Sequence, residues 1–174
     1  MNPATAVARL AVNATISGVE NIHIRRTTLA SPDAVRLIAA LNAELTTIYP
    51  EPGATHFSLN EVQVAPGSGA FLIASLDGVA VGCGAVRKYD DTTAEIKRMY
   101  VAPSARGQGL GRAILEALER EAKLIGATRI VLETGARLAS ATKLYESLGY
   151  SRIPLFGEYL LSSDSSLCFG KSLA

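Results

Sequence analysis

VAPSARGQGLGR, Val101 to Arg112, places glycines at positions 107, 109 and 111, between a run from Thr92 to Tyr100 and an apolar-striped run that begins at Leu110. The first run reads as a strand and the second as a helix. Alternating glycines let successive backbone N–H groups point to one side with no Cβ in the way, and a helix N-terminus adds about half a positive charge. The junction is therefore expected to hold a phosphate or pyrophosphate. A Walker A loop is excluded, because no Lys-Ser or Lys-Thr follows these glycines. A dinucleotide fingerprint fits poorly: the spacing is GxGxG rather than GxGxxG, and Ala102 to Arg106 separate Val101 from the first glycine. Glu133, at the end of the next strand, imitates the ribose-binding acid of that fingerprint, so the dinucleotide reading competes, as does a purely structural glycine turn.

Outward from the loop, Leu110, Ala113, Ile114, Ala117, Leu118 and Ala122 form one helical stripe that stops at Gly126. Arg129 to Glu133 reads as a buried strand and Ala139 to Leu148 as a second helix ended by Gly149. Two short strands follow, Tyr150 to Pro154 and Leu167 to Leu173. Upstream, Ala70 to Ser75 and Val79 to Lys88 are joined by Leu76-Asp77-Gly78, a hairpin signal, with Thr92 to Tyr100 as the third strand of a meander. His23 to Thr28 alternates as a strand. Ser31 and Pro32 cap a helix whose apolar residues are Val35, Ile38, Leu41, Leu45 and Ile48. Glu51 to Gly69 reads as loop with a short helix within it. The expected architecture is α/β, a mixed and largely antiparallel central sheet flanked by helices.

The 174 residues, 48% hydrophobic and 19% charged, suit one domain over residues 21–174. Residues 1–20 lack clean periodicity and read as a mobile arm. Seventeen Lys and Arg against sixteen Asp and Glu give a net charge of +1, which recommends no nucleic-acid partner. No run of eighteen apolar residues suggests a membrane span, and the N-terminus lacks a signal peptide's unbroken apolar stretch, so the cytoplasm is the expected location. Cys83 and Cys168 have neither CxxC nor Cys/His spacing and read as core residues. His23 and His56 stand alone, so no metal is expected.

Val101-Ala102-Pro103 followed by Arg106-Gly107-Gln108-Gly109-Leu110-Gly111 resembles the V-x-P-x-x-R-G-x-G-x-G/A signature of the GNAT superfamily of N-acetyltransferases. From about Ile22 to Leu173 the expected elements also come in that superfamily's order. The resemblance implies the acyl-CoA N-acyltransferase fold, with acetyl-CoA as co-substrate. Its pyrophosphate would lie on Arg106, Gly107, Gln108, Gly109, Leu110, Gly111 and Arg112, and its pantetheine arm along the backbone of Met99, Tyr100 and Val101. The reaction implied is transfer of the acetyl group to a primary amine by direct attack on the thioester.

Such chemistry wants a base, an oxyanion donor and an acid. Glu95, six residues before Val101, matches the strand carboxylate that some relatives use as base, with Glu133 as the second choice. A solvated strand glutamate, or a partner of Lys97 or Arg98, is the structural alternative for Glu95. Tyr145, in ATKLYESLGY, matches the tyrosine that protonates the leaving thiolate in many relatives. The face formed by Ala141, Leu144, Tyr145 and Leu148 would bury it in any case. Tyr49, His56, Phe57, Phe156 and Tyr159 fall in segments that line the acceptor side in relatives. The near-neutral charge favours a small-molecule amine as acceptor. A non-catalytic acetyl-CoA-binding sensor or scaffold, and a protein lysine or N-terminal acetyltransferase, are the alternatives. Phe156, Tyr159, Leu160 and Leu161 suggest an apolar patch through which a homodimer forms.

Overall fold

The computed structural model describes residues 21–52, 58–162 and 164–173. The expected arm at residues 1–20 and the candidate side chains of His56 and Phe57 lie outside these residues. Seven strands form one sheet: β1 (Ile22–Thr27), β2 (Gly69–Leu76), β3 (Val79–Lys88), β4 (Thr93–Val101), β5 (Arg129–Gly135), β6 (Ser151–Ile153) and β7 (Ser166–Ser172). Helix α1 spans Pro32–Ile48, α2 Leu110–Leu124 and α3 Ala139–Ser147. The spatial order is β1-β2-β3-β4-β5-β7-β6. Every neighbouring pair is antiparallel except β4 with β5.

Local chemistry explains the element ends. Ser31 accepts a hydrogen bond from the Ala34 amide at 3.3 Å, with Pro32 filling the first turn of α1. Asp77 and Gly78 both take left-handed conformations, φ 50° and 80°, the two-residue turn whose twist matches the β2–β3 hairpin. A 3-10 turn at Glu61–Val64, capped by Asn60 and Gln63, is the short helix expected within the 51–69 segment.

Two apolar layers sandwich the sheet. On one face α2 buries all six residues of its stripe against Leu72, Val86, Ile96 and Ile130. On the other, α1 packs on Phe71, Ile73, Cys83 and Ala85. Here one expectation is corrected: Val35 is 56% exposed, and the buried stripe of α1 is Ala34, Leu37 and Leu41. A small residue sits at the closest approach to the sheet, and the larger Val35, one position on and about 100° around the helix, turns outward. Cys83 and Cys168 are buried, and burial pushes their thiols up to about 12 and about 11.

Candidate active site

The parallel contact between β4 and β5 is short. Thr93 to Ile96 pair with Arg129 to Leu132, and beyond those residues the strands part. Past Leu132, β5 continues to pair with β7 as far as Gly135, while β4 continues against β3 to Val101. The divergence opens one edge of β4 and leaves a cavity of about 120 Å³ between the strand ends, α1 and α3.

Within the diverging part, β4 carries a bulge. Between Cys83 and Ala85 of β3, pairing steps from Tyr100 to Lys97, so β4 has one residue too many. Arg98 absorbs it with φ 60°, a left-handed conformation rare for a residue with a Cβ. The bulge carries Lys97, Arg98 and Met99 into the cavity wall. Tyr100 turns its ring to the α1 side of the sheet.

Next to this opening lies the glycine loop. Gly107 and Gly109 have φ of 76° and 83°, and a Cβ built on either would meet nothing within 4 Å. Gly109 is the N-cap of α2 and supplies no side-chain cap; the first intrahelical bond runs from Ala113 N–H to Gly109 O at 3.0 Å. The amides of Leu110, Gly111 and Arg112 thus precede the first intrahelical donor and lie at the positive end of the helix, with open space at Gly107 and Gly109. That is a fit for a pyrophosphate, held by backbone.

The two flanking arginines contribute differently from their place in the motif. Arg106 donates from Nε to Val101 O at 2.9 Å and from Nη2 to both Glu44 oxygens at 2.8 and 2.7 Å, and its guanidinium lies 5.9 Å from the Tyr100 ring centre. Its charge ties the loop to α1, with the side chain about half exposed. Arg112, half exposed, stands 3.8 Å from Glu116.

Tyr145 and Glu133 both line the cavity. Tyr145 packs its ring against Tyr150 and Phe169, and its hydroxyl donates to the Met99 sulfur at 3.8 Å. A thioether is a weak acceptor, so that proton is loosely held in place. Burial, with the charge of Glu133 nearby, raises the Tyr145 pKa and keeps the hydroxyl protonated. Glu133 is half-buried. Burial raises its pKa above the ordinary 4.5, and the charges of Glu95 and Glu158 push the same way, while the Ser166 hydroxyl and Lys97 pull it down.

Glu95 is placed differently. It is fully buried under the cavity wall and accepts from Arg87 Nε at 2.7 Å on one oxygen and from the Tyr159 hydroxyl at 2.6 Å on the other, with Lys97 Nζ 3.7 Å away. Both oxygens are occupied by donors from neighbouring elements. The partnership expected with Lys97 is present, and Arg87, directly opposite in the β3–β4 register, is its main partner. Glu95→Gln is therefore expected to cost about 2 kcal/mol of folding stability, read in a urea titration, because the partly buried Arg87 guanidinium loses its charged acceptor.

Tyr159 was expected both on the acceptor side and in an outer apolar patch. It is buried, lines the cavity, donates to Glu95 and accepts from Lys97 Nζ at 3.0 Å, so only the patch is corrected. Phe156 packs edge-on against Tyr89 and Tyr159. Of the four residues expected at a homodimer face, only Leu160 and Leu161 point out, the latter 96% exposed. Tyr49 is buried, and its hydroxyl accepts from the Arg137 amide at 2.6 Å, beside the end of β5. Arg98, which lines the cavity and donates to Asn42 Oδ1, escaped sequence reasoning as a member of the site. Two consecutive charged residues, Lys97 and Arg98, which strict strand alternation cannot place on one face, were the available signal for Arg98.

Known proteins share the family and the fold. The profile of the Acetyltransferase (GNAT) family matches residues 35–150. An IAA acetyltransferase of Azospirillum brasilense is 35% identical over 140 residues, covering 80% of this chain and 90% of that one. The crystal structure of a candidate acyl-CoA N-acyltransferase from Klebsiella pneumoniae superposes with a TM-score of 0.75 at 32% identity, over 88% of this chain and 98% of its own. A GNAT-family acetyltransferase from Elizabethkingia anophelis, solved with acetyl-CoA bound, shares the fold with a TM-score of 0.64 at 20% identity, over 88% and 99% of the two chains.

Proposed function

This chain belongs to the GNAT family of acetyltransferases, with acetyl-CoA as the acetyl donor, and on that premise we propose that it acetylates the primary amine of a small molecule, Glu133 acting as base and Tyr145 as acid. The observation that carries this reading is that both side chains line one cavity at the β4–β5 divergence. In the proposed reaction Glu133 takes a proton from the attacking ammonium, directly or through water. The freed nitrogen forms its bond to the thioester carbonyl carbon, and the C–S bond breaks. Tyr145 gives its hydroxyl proton to the departing sulfur, the surplus proton of the newly acylated nitrogen returns through water to the phenolate left on Tyr145, and the backbone N–H groups of Met99 to Val101 face the carbonyl oxygen as its charge develops. Glu95 acts as a buried anchor for Tyr159, Lys97 and Arg87. The relative from Azospirillum brasilense, named for IAA, supports a small acceptor.

The test is thiol release from acetyl-CoA by the purified chain across a panel of amino acids, polyamines, aminoglycosides and simple amines. Turnover with a small amine is expected. Release no faster than thioester hydrolysis for every acceptor would end the proposal. Tyr145→Phe separates chemistry from packing: it keeps the ring among Tyr150 and Phe169 and removes one oxygen. Turnover is expected to fall about 10²-fold. The melting temperature should barely move, since the lost bond goes to a thioether.

A further inference from the structure

We propose that Lys97 is a positioning residue for acetyl transfer: from the fork of the sheet, its buried ammonium holds Glu133 in the ionised, proton-accepting form. The inference rests on the reading of Glu133 as base and adds the residue that sets its charge. The pairing of the strands brings the two together. In the β3–β4 register Ala85 lies opposite Lys97 and Arg87 opposite Glu95, and β4 pairs Glu95 with Val131 of β5. Partners in register share a face of the sheet, and so do residues two apart on one strand. Glu95, Lys97 and Glu133 therefore stand on the face of Ala85, which α1 covers. The last parallel pair is Ile96 with Leu132. Lys97 and Glu133 are the next residue on each strand, at the point where the strands part, and both line the cavity that opens there.

The Lys97 side chain is 3% exposed, a burial that an ammonium tolerates only among anions and acceptors. Its Nζ donates to the Tyr159 hydroxyl at 3.0 Å and to Glu158, with Glu95 Oε1 at 3.7 Å. Three glutamates thus converge on this part of the sheet, from β4, β5 and the 157–161 turn, and Glu95 already has a cation in Arg87. Burial raises the Glu133 pKa; the Ser166 hydroxyl and Lys97 lower it, and Glu95 and Glu158 raise it further. Its other titratable neighbours are Tyr145 of α3, Tyr49 after α1, Tyr159 of the turn and Cys168 of β7. Burial raises all four, so they stay neutral while Glu133 titrates. Its ionisation is then decided by the cations of β4 against Glu95 and Glu158. Of those cations, Lys97 holds the register position beside Glu133, one residue before the left-handed Arg98 of the bulge.

The experiment follows the carboxyl carbon resonance of Glu133 by NMR as pH is varied, assigned by its loss in Glu133→Gln. It is paired with the pH profile of kcat for an acceptor that the amine panel identifies. Lys97→Met removes the charge at nearly constant length. Both the resonance midpoint and the rising limb of kcat are expected to move up by about one pH unit. Turnover on the acid side of the limb should fall about tenfold and approach the parent's above it, with the KM for acetyl-CoA unchanged. Lys97→Arg keeps the charge and should restore both midpoints. A lysine that only braces the 157–161 turn would lower stability and leave the midpoints in place. Glu158→Gln is the second route where Lys97→Met does not fold: its carboxylate is 33% exposed, and removing it leaves the Lys97 charge to act on Glu133 more fully, so both midpoints should move down. Midpoints unmoved in a folded Lys97→Met, or in Glu158→Gln where Lys97→Met does not fold, overturn the role of Lys97 and leave Glu133 as base. A resonance that moves while the kcat limb stays fixed overturns Glu133 as base, and the role of Lys97 in turnover with it. Absence of turnover with every acceptor overturns both.

Discussion

Glu133→Gln is expected to lower kcat about 10³-fold while the protein stays at least as stable at neutral pH as its parent. The amide has almost the shape of the carboxylate but cannot take a proton from an ammonium. The pH profile adds a sign. Burial holds the Glu133 carboxyl above its ordinary 4.5, so the proton-accepting form emerges only at higher pH, and the parent's kcat should rise through a limb displaced upward from the usual glutamate range. That limb should vanish in the variant. The same shift makes the folded state bind more protons than the unfolded chain from pH 4.5 upward, so ionised Glu133 subtracts stability as pH rises through its folded pKa. Glutamine has no such loss. Unchanged turnover in Glu133→Gln, together with a large loss of kcat in a stably folded Glu95→Gln, would move the base to Glu95.

Gly109→Val is expected to weaken coenzyme A binding about 10³-fold in a protein that still folds, as measured by calorimetry. Valine at φ 83° is strained, and its branched side chain would enter the open space in front of the α2 amides. Losing two charge-assisted amide bonds to a phosphate, at about 1.5–3 kcal/mol each, accounts for that magnitude. Arg106→Ala should act differently, by freeing the loop from Glu44 and Val101 O. Its binding defect should be small, because the guanidinium is committed to the protein. If Gly109→Val bound coenzyme A as its parent does, the cradle would have to lie elsewhere.

Much of this molecule is legible along the chain because its signals are local. Asp77-Gly78 specifies a tight hairpin through two left-handed φ angles, Ser31-Pro32 starts α1 by capping it, and the α2 stripe reports one buried face; each depends on residues within a turn or two of each other. The glycine loop belongs to the same class, since the left-handed φ angles of Gly107 and Gly109 and the polarity of the helix start are set by neighbouring residues. Tyr145 was legible as a buried ring on α3, and its place on the cavity wall follows from that face.

What only the tertiary structure decided involves residues far apart in the chain. Glu95 and Glu133 look alike as strand carboxylates. Glu95 became a buried anchor because β3 sets Arg87 directly opposite it and the turn at Gly157–Leu161 swings Tyr159 over it from 64 residues away. Glu133 became the cavity carboxylate because β4 and β5 part after Ile96 and Leu132, a divergence with no mark in either strand's alternation. Arg98 enters the cavity through a bulge that exists only in the pairing of β4 with β3. Hydrophobic period, caps and turns are encoded by near neighbours, so the sequence alone determined the elements and the glycine loop. The ionisation and aim of a buried charge depend on which distant donors and apolar walls surround it, and that was decided by the assembled sheet.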